Sequence, residues 1–476
     1  MRLSTKIAYN TIIQIISKVI ATALGLVSVA IMTRYLGTAG FGGYTTIITF
    51  LSFFGIIADL GLTLVTVQMI SKPGVNEGKI LNNLFTLRFF TAIIFLGLAP
   101  LVVVFFPYDP IVKIGIAITT FSFLFAALSQ ILVGLFQKNL RMDKVSVAEI
   151  ISRIFLVALV VWAVKMNMGL VGMLIATVIA SGVSFVLHFW YARAYVKIKF
   201  EFDKVLWKKI LIKSWPLAIT IFFNLIYLKA DILILSLVKT QAEVGIYGAT
   251  YKIIDVLITL PFMFAGIVLP VLTLNWESAN KENFKKILQK SFDLMMILAI
   301  PMMIGVQFFA DKIMILVAGK DFVDSGPILK ILILAAGLVF LACMLSHAII
   351  ALDKQKKVIG IYVFTSITSL IGYFIFIPKY SYFGAAWVTI YSESVIFVAV
   401  LYYVWKYSGY FPKFAIGFKA LLASLFMVLI IKYSPPIFFS GFNFLFLILF
   451  LVVIYFVLLY IFKGISKQDI NDILNR

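Results

Sequence analysis

The chain has 476 residues, of which 63% are hydrophobic, 46 are Phe and only 13% are charged, and its mean hydropathy is +1.09. So apolar a composition excludes an ordinary soluble domain and marks a polytopic membrane protein. The net charge of +21 does not point to nucleic acid, because the basic residues sit in short connectors between apolar stretches, where the positive-inside rule places them.

Residues 1–6 are mildly basic, yet the apolar stretch behind them is too long for a signal-peptide core. It ends in Arg34-Tyr35-Leu36-Gly37 rather than at a small-residue cleavage site, so the first span is expected to be retained. At roughly 20 residues per crossing the chain reads as about fourteen transmembrane helices. They fall near 8–33, 41–69, 80–106, 111–137, 145–165, 169–192, 210–237, 244–273, 288–310, 327–352, 357–377, 382–406, 413–433 and 441–462. The fifth and sixth are split only by Lys165-Met166-Asn167-Met168-Gly169, and the eleventh and twelfth by Pro378-Lys379-Tyr380-Ser381.

Connector charge supports an even number of spans. Alternate connectors carry Lys72 and Lys79; Lys138, Arg141 and Lys144; Arg193 through Lys213; Lys281, Lys285, Lys286 and Lys290; Lys354, Lys356 and Lys357; and Lys406 with Lys413. The connectors between them carry one or two basic residues each, such as Arg34, Lys113, Lys165 and Lys239. This alternation puts both termini in the cytoplasm of a multi-pass plasma-membrane protein.

The longest basic connector divides the chain into a six-helix lobe at 1–193, a cytoplasmic connector at 194–214, a second six-helix lobe at 215–408, and two additional helices with a cytoplasmic tail at 409–476. Within the connector, Asp203 is placed to cap a short amphipathic helix that carries Val205, Leu206, Lys208 and Lys209 along the inner membrane surface. A repeat supports the two lobes: Leu36 to Tyr44 at the first outer turn compares with Val238 to Tyr247 at the seventh-to-eighth turn. One inserted residue sets Thr38 beside Thr240 and Tyr44 beside Tyr247. An even number of helices separates the copies, which implies parallel repeats about an axis along the membrane normal, with a cleft between the halves. Trp215-Pro216 is expected to open the seventh span, and Pro261, Pro270 and Pro301 to interrupt the eighth and ninth and permit bending.

Polar groups at depth are costly and face a protein interior or a wet cavity. Asn10, Gln14 and Lys18 recur at spacings of four and share one helical face, so they mark a lumen rather than a lipid-facing surface. With them, Arg88, Arg153, Lys229 and Lys252 are candidate substrate-binding cations. Arg153 follows Glu149 by four residues, which equally allows a structural ion pair. Cross-helix pairing among Lys229, Asp231, Lys252 and Asp255 is as compatible with the sequence as a binding role. Asp59, Asp231, Asp255 and Glu393 are buried acids able to take a proton or join carbonyl groups around sodium, with Asp59, Asp231 and Asp255 the ion-coupling candidates. At Asp59 a bond to a neighbouring helix or loop is the stronger expectation.

Arg34-Tyr35-Leu36-Gly37, then Gly43-Tyr44, then Asp59-Leu60-Gly61-Leu62, in the first two spans of a basic chain of this length, resemble the Wzx-type polysaccharide flippases of the multidrug/oligosaccharidyl-lipid/polysaccharide exporter superfamily. The resemblance implies an all-α fold of two six-helix bundles plus two C-terminal helices. It also implies flipping of a polyprenyl-diphosphate-linked oligosaccharide from the inner to the outer leaflet by alternating access through a central cationic cavity, for cell-surface polysaccharide. The alternatives are a lipid II flippase or a multidrug exporter of the same superfamily and, more distantly, a polytopic glycosyltransferase or polymerase. The expected partners are the lipid-linked glycan, membrane lipids and polysaccharide synthesis proteins, with no nucleic acid. No cofactor is expected beyond a coupling proton or sodium ion. The lone Cys343 excludes an intrachain disulfide and a cysteine metal cluster. His188 and His347 lie on distant spans, and no phosphate-cradling Gly-Lys-Ser/Thr loop occurs, so the chain is expected not to be an enzyme.

Overall fold

A computed structural model describes residues 3–71, 74–439 and 443–464. In chain order the helices are α1 (Leu3–Asp59), α2 (Leu62–Ile70), α3 (Glu77–Val102), α4 (Pro110–Lys138), α5 (Met142–Lys165), α6 (Gly169–Ala192), α7 (Lys204–Val238), α8 (Gln241–Glu277), α9 (Lys281–Ala318), α10 (Ser325–Ala351), α11 (Gln355–Ser408), α12 (Ala415–Tyr433) and α13 (Asn443–Ile461). Lys72 of the first basic connector lies outside the described residues.

Eleven of these helices are long and apolar enough to cross a membrane. Two are double: α1 is broken by Gly37 at φ 63° and α11 by Ser381 at φ 52°. With the shorter apolar helix Phe446–Ile461, this gives the fourteen crossings expected from the sequence. The fold is that of an all-α polytopic membrane protein.

Helix ends follow local chemistry. Gly37 and Gly61 take left-handed backbone that a side chain resists, and each ends a helical run on the α1–α2 segment. Asn167 (φ 53°) and Gly169 (φ 60°) turn the chain between α5 and α6. Thr240 and Glu243 form a reciprocal capping box at the start of α8: the Thr240 N–H donates to Glu243 at 3.0 Å and the Glu243 N–H to the Thr240 hydroxyl at 3.3 Å. Glu243 also accepts from the Ser381 hydroxyl at 2.6 Å, which anchors the α11 kink.

Two expectations are corrected. Asp203 does cap a helix, accepting from the Leu206 N–H at 3.0 Å, but that helix does not stop short; it continues as α7 into the seventh span. Likewise α8 runs through Pro261 and Pro270, and α9 through Pro301, as continuous helices. A helix tolerates proline where neighbouring groups re-satisfy the freed carbonyl.

The described chain forms two compact units. The first takes Met1–Lys252 with Met314–Val323 and Ser366–Val388. Its core joins Ile47, Phe50 and Leu51 of α1 to Ile116 of α4 and Leu174 of α6. A second cluster packs Leu84 of α3 on Leu132 and Phe136 of α4. The second unit takes Ile253–Ile313, Asp324–Thr365 and Thr389–Arg476. There Phe292 and Met295 of α9 pack with Phe340 and Met344 of α10 and Val404 of α11, while Ala420 and Ala423 of α12 meet Leu451 and Leu459 of α13.

α1 and α8 cross inside the first unit at their glycines. A Cβ at Gly42 would strike the Gln241 carbonyl, and one at Gly245 would strike the Thr38 carbonyl. The contact is reciprocal, so Gly42 is equivalent to Gly245 and Thr38 to Gln241. The equivalence keeps Tyr44 opposite Tyr247 but moves Thr38 one residue on from Thr240, and no insertion is needed. Small residues allow such backbone approach between membrane helices.

Candidate functional site

The charged groups of the first unit sort by how completely the protein satisfies them. Arg88 on α3 is buried, and its guanidinium meets the Asp59 carboxylate at the end of α1 at 2.7 Å, with side-chain exposures of 3% and 12%. Arg88 Nε also donates to the Ala127 carbonyl at 3.3 Å, and the Thr63 hydroxyl donates to Asp59 Oδ1 at 2.6 Å. A proposed substrate cation and a proposed coupling acid are therefore each other's partners. Asp59 does bond to a neighbouring helix, as its place in Asp59-Leu60-Gly61-Leu62 suggested.

The Asn10-Gln14-Lys18 face divides between two roles. Asn10 is buried, and its Oδ1 accepts from the Met142 N–H at 2.9 Å, the first residue of α5. One orphan donor at a helix start is thus satisfied by a side chain from another helix. Gln14 is exposed. Ser17 donates to Ser146 at 2.7 Å, and Lys18 Nζ pairs with Glu149 Oε1 at 3.3 Å. Glu149 thus pairs with α1 rather than with Arg153 on its own helix. The Lys18 and Glu149 side chains remain 45% and 30% exposed, unlike the Arg88 pair. Arg153, one turn along α5 from Glu149, is half-buried and in electrostatic range of the Tyr44 hydroxyl. His188 of α6 is buried against Phe136 with neither ring nitrogen hydrogen-bonded.

A second buried carboxylate lies on α7. Asp231 is fully buried and accepts from the hydroxyls of Tyr247 at 2.7 Å and Tyr251 at 2.6 Å, and from the Ile232 N–H at 2.7 Å. Lys229 places its ammonium 4.7 Å from the centre of the Tyr251 ring, a cation–π contact, so it reaches the Asp231 cluster through the tyrosine. Lys252 and Asp255 follow on α8, both half-buried. In the second unit Glu393 is buried on α11, in electrostatic range of Tyr362.

Sequence reading did not find the two tyrosines as clamps of Asp231. Tyr247 and Tyr251 stand four residues apart on α8, a spacing that puts two phenols on one face and is the signal they offered. It also missed how the basic connector is held. Asn82 of α3 donates to the Lys197 carbonyl at 3.2 Å and accepts from the Lys199 N–H at 3.2 Å. Thr86 accepts from the Glu201 N–H at 3.0 Å, and Asn83 from the Asp203 N–H at 2.8 Å and the Trp207 indole at 3.1 Å. The connector is thus an extended strap on α3, closed by a 2.7 Å ion pair between Lys79 and Asp203.

The glycine-rich first turn has structural work of its own. Arg34 donates to the carbonyls of Leu316 at 2.6 Å and Val317 at 3.0 Å, capping the last turn of α9. The Tyr35 hydroxyl accepts from the Gly169 N–H at 3.0 Å.

The second unit holds an apolar groove of about 810 Å³, bordered by Met296, Ile300 and Met303 of α9 and by Phe418 and Leu421 of α12. Hydrocarbon, not a charged group, matches its lining.

Known proteins agree with this architecture. The chain is 23% identical over 288 residues, 59% of its own length and 72% of the relative's, to the capsular polysaccharide biosynthesis protein CapF of Staphylococcus aureus. It is 25% identical over 175 residues, 37% of each chain, to the "Probable low-salt glycan biosynthesis flippase Agl15" of Haloferax volcanii. Its fold is similar to that of the lipid II flippase MurJ in an inward closed conformation. The TM-score is 0.76 at 20% identity, over 97% of this chain and 99% of the other. The sequence pattern of the polysaccharide biosynthesis protein family matches residues 7–276, more than half of the chain, and the chain belongs to that family.

Proposed function

We propose that this protein is a flippase that moves a polyprenyl-diphosphate-linked oligosaccharide from the inner to the outer leaflet by alternating access, for cell-surface polysaccharide, with both termini in the cytoplasm. The observation that carries this reading is the half-exposed cluster of Lys18, Glu149 and Arg153, with two cations to one carboxylate, on helices within the family-matched region. A diphosphate needs charge-assisted donors that it can reach and later leave. Lys18 offers a donor whose present partner is itself partly exposed. The sugar calls for a wet, polar surface and the prenyl tail for an apolar one. Asp231, or Asp255 further along, supplies a carboxylate for proton or sodium coupling. Membership of a polysaccharide biosynthesis family and the glycan flippase among the relatives favour lipid-linked sugar over drugs.

The test is reconstitution of the purified protein in liposomes, with polyprenyl-diphosphate sugars, lipid II and fluorescent cationic drugs offered in parallel. Movement of a lipid-linked sugar, lost in Lys18→Ala at equal folded protein, supports the reading. Movement of drugs alone refutes it, and full transport by Lys18→Ala removes Lys18 from the site.

A further inference from the structure

His188 of α6 is 4% exposed, and neither its Nδ1 nor its Nε2 has a hydrogen-bond partner among the described residues. A neutral imidazole carries one N–H to donate and one nitrogen lone pair to accept. Both are therefore buried without a protein partner. An aromatic hydrocarbon of similar size would pack on the Phe136 ring, 6.1 Å away between centres, without that penalty. The ring nitrogens call for a partner in another state of the protein.

The ionisable groups around the ring narrow the choice. α4 packs on this end of α6 through Leu132, Leu135 and Phe136, none of them ionisable. Tyr195, beyond α6, lies edge-on to Phe136 at 6.0 Å. Lys144, in the first turn of α5, stands over the Tyr191 ring at 4.8 Å, and Arg193, just past α6, over the Phe189 ring at 4.8 Å. On α5, Arg153 is in electrostatic range of the Tyr44 hydroxyl, and Glu149 is in electrostatic range of His188 itself. Glu149 is thus the acid that faces the ring, and it is now paired with Lys18 of α1 at 3.3 Å.

Lys18 can leave that pair without opening the helices. Its side chain is 45% exposed, and α1 is tied to α5 independently by Ser17 to Ser146 at 2.7 Å and by Asn10 to the Met142 N–H at 2.9 Å. Its departure leaves a carboxylate without its cation beside an imidazole with one unprotonated nitrogen. A proton on that nitrogen gives Glu149 a new counter-charge and a charge-assisted donor.

We propose that His188 is a proton-binding site gated by Lys18: the ring takes one proton when Lys18 leaves Glu149 and gives it up when Lys18 returns. The proton comes from water and adds to the bare ring nitrogen, so one N–H bond forms and no other bond changes. Glu149 faces one cation in either state. The exchange stands on this geometry alone, while its link to transport rests on the reading of Lys18 as a diphosphate-binding residue.

The experiment is nitrogen NMR of the full chain, carrying isotope-labelled histidine, in lipid nanodiscs at neutral pH. The chain has 2 His, so His347→Gln assigns the two rings. The wild type should show a neutral His188 ring, and Lys18→Gln should replace that signal with a doubly protonated one in most molecules. Adding Glu149→Gln to Lys18→Gln should restore the neutral ring, as should Lys18→Arg. Should Lys18→Gln not fold, Lys18→Met takes its place with the same outcomes. A ring that stays neutral in Lys18→Gln means that Glu149 has turned to Arg153, and overturns the proposal. So does a ring already doubly protonated in the wild type. In liposomes, His188→Gln should abolish the dependence of flipping on an imposed pH difference. Flipping that ignores the pH difference in the wild type, or keeps its dependence in His188→Gln, overturns the link to transport. Where no lipid-linked sugar moves at all, the flippase reading fails and the ring signals still decide the exchange.

Discussion

Breaking the Arg88–Asp59 pair should unfold the protein rather than merely slow it. With side chains 3% and 12% exposed and 2.7 Å apart, the two charges have little water to fall back on. Asp59→Leu would leave the guanidinium with the Ala127 carbonyl, 3.3 Å from Nε, as an acceptor. Breaking a buried pair from one side costs about 3–5 kcal/mol, whereas replacing both partners with apolar residues of similar volume is close to neutral. The single variants Asp59→Leu and Arg88→Met should therefore shift the unfolding equilibrium by roughly two to three and a half decades. The double variant should recover most of the loss, so that the two single losses together exceed the double's by about 5 kcal/mol or more. The assay heats detergent-solubilised membranes and measures the monodisperse fraction by fluorescence-detected size exclusion for wild type, both singles and the double. If either single melts with the wild type while transport is lost, or if the losses simply add, the pair is not structural and Arg88 returns to the list of substrate cations.

Three further outcomes follow from the same geometry. Gly42→Ala and Gly245→Ala each push a methyl into a facing carbonyl and should cost at least the ~1–3 kcal/mol of overpacking. Gly25→Ala, which meets nothing within 4 Å, should melt no lower than wild type; tolerance of Gly42→Ala would contradict the reciprocal crossing. Tyr251→Phe and Tyr247→Phe each remove one donor from the buried Asp231 carboxylate, for a loss of about 1.5–3 kcal/mol each in the same melting assay. Asp231→Asn should reduce the penalty of either, and an unchanged penalty would show that the phenols serve something else. The Lys79 ammonium and the Leu206 N–H hold the Asp203 carboxyl below its usual range, so its hold on the strap is complete above the unfolded value of about 3.9 and fades as pH falls through the lower folded value. Limited proteolysis within 194–203 should accelerate only below that window, and Asn83→Ala should bring the same cleavage at neutral pH; equal rates at both pH values would rule out Asp203 as the latch.

The sequence made the span count legible because fourteen apolar runs and an unbroken alternation of connector charge answer to one physical demand, a helix about as long as the hydrocarbon is thick. The breaks at Asn167, Gly169 and Ser381 were readable for the same reason, since each interrupts an apolar run with turn chemistry. Pairings were less legible. Arg153 stood four residues from Glu149, but the cross-helix Lys18 sits within 3.3 Å of that carboxylate, and spacing along one helix cannot see a neighbour 131 residues away. The Asn10-Gln14-Lys18 face was a true helical face, yet Asn10 turned out to cap α5, because a polar residue beside another helix's orphan N–H groups is drawn to them. Prolines misled in the opposite direction, since a continuous helix needs only that its neighbours absorb the lost bond.

Exposure decides which of these charges a passing anion can recruit. A fully desolvated pair such as Arg88 and Asp59 must be paid for at several kcal/mol before its arginine can turn to a new partner, so a diphosphate gains little there. The Lys18–Glu149 pair, 45% and 30% exposed, is longer at 3.3 Å and more open, so it is the weaker of the two. A diphosphate offers charge-assisted acceptors that compete with Glu149 for Lys18. In the proposed flippase, a bound diphosphate would pull Lys18 away from Glu149, loosening one tie in the α1–α5 seam while Ser17–Ser146 and the Asn10 cap keep the helices adjacent. The Glu149 carboxylate lies in electrostatic range of buried His188. On the proposed reading the weak pair is the part that binding would move, and the strong pair the part that would stay fixed while it does.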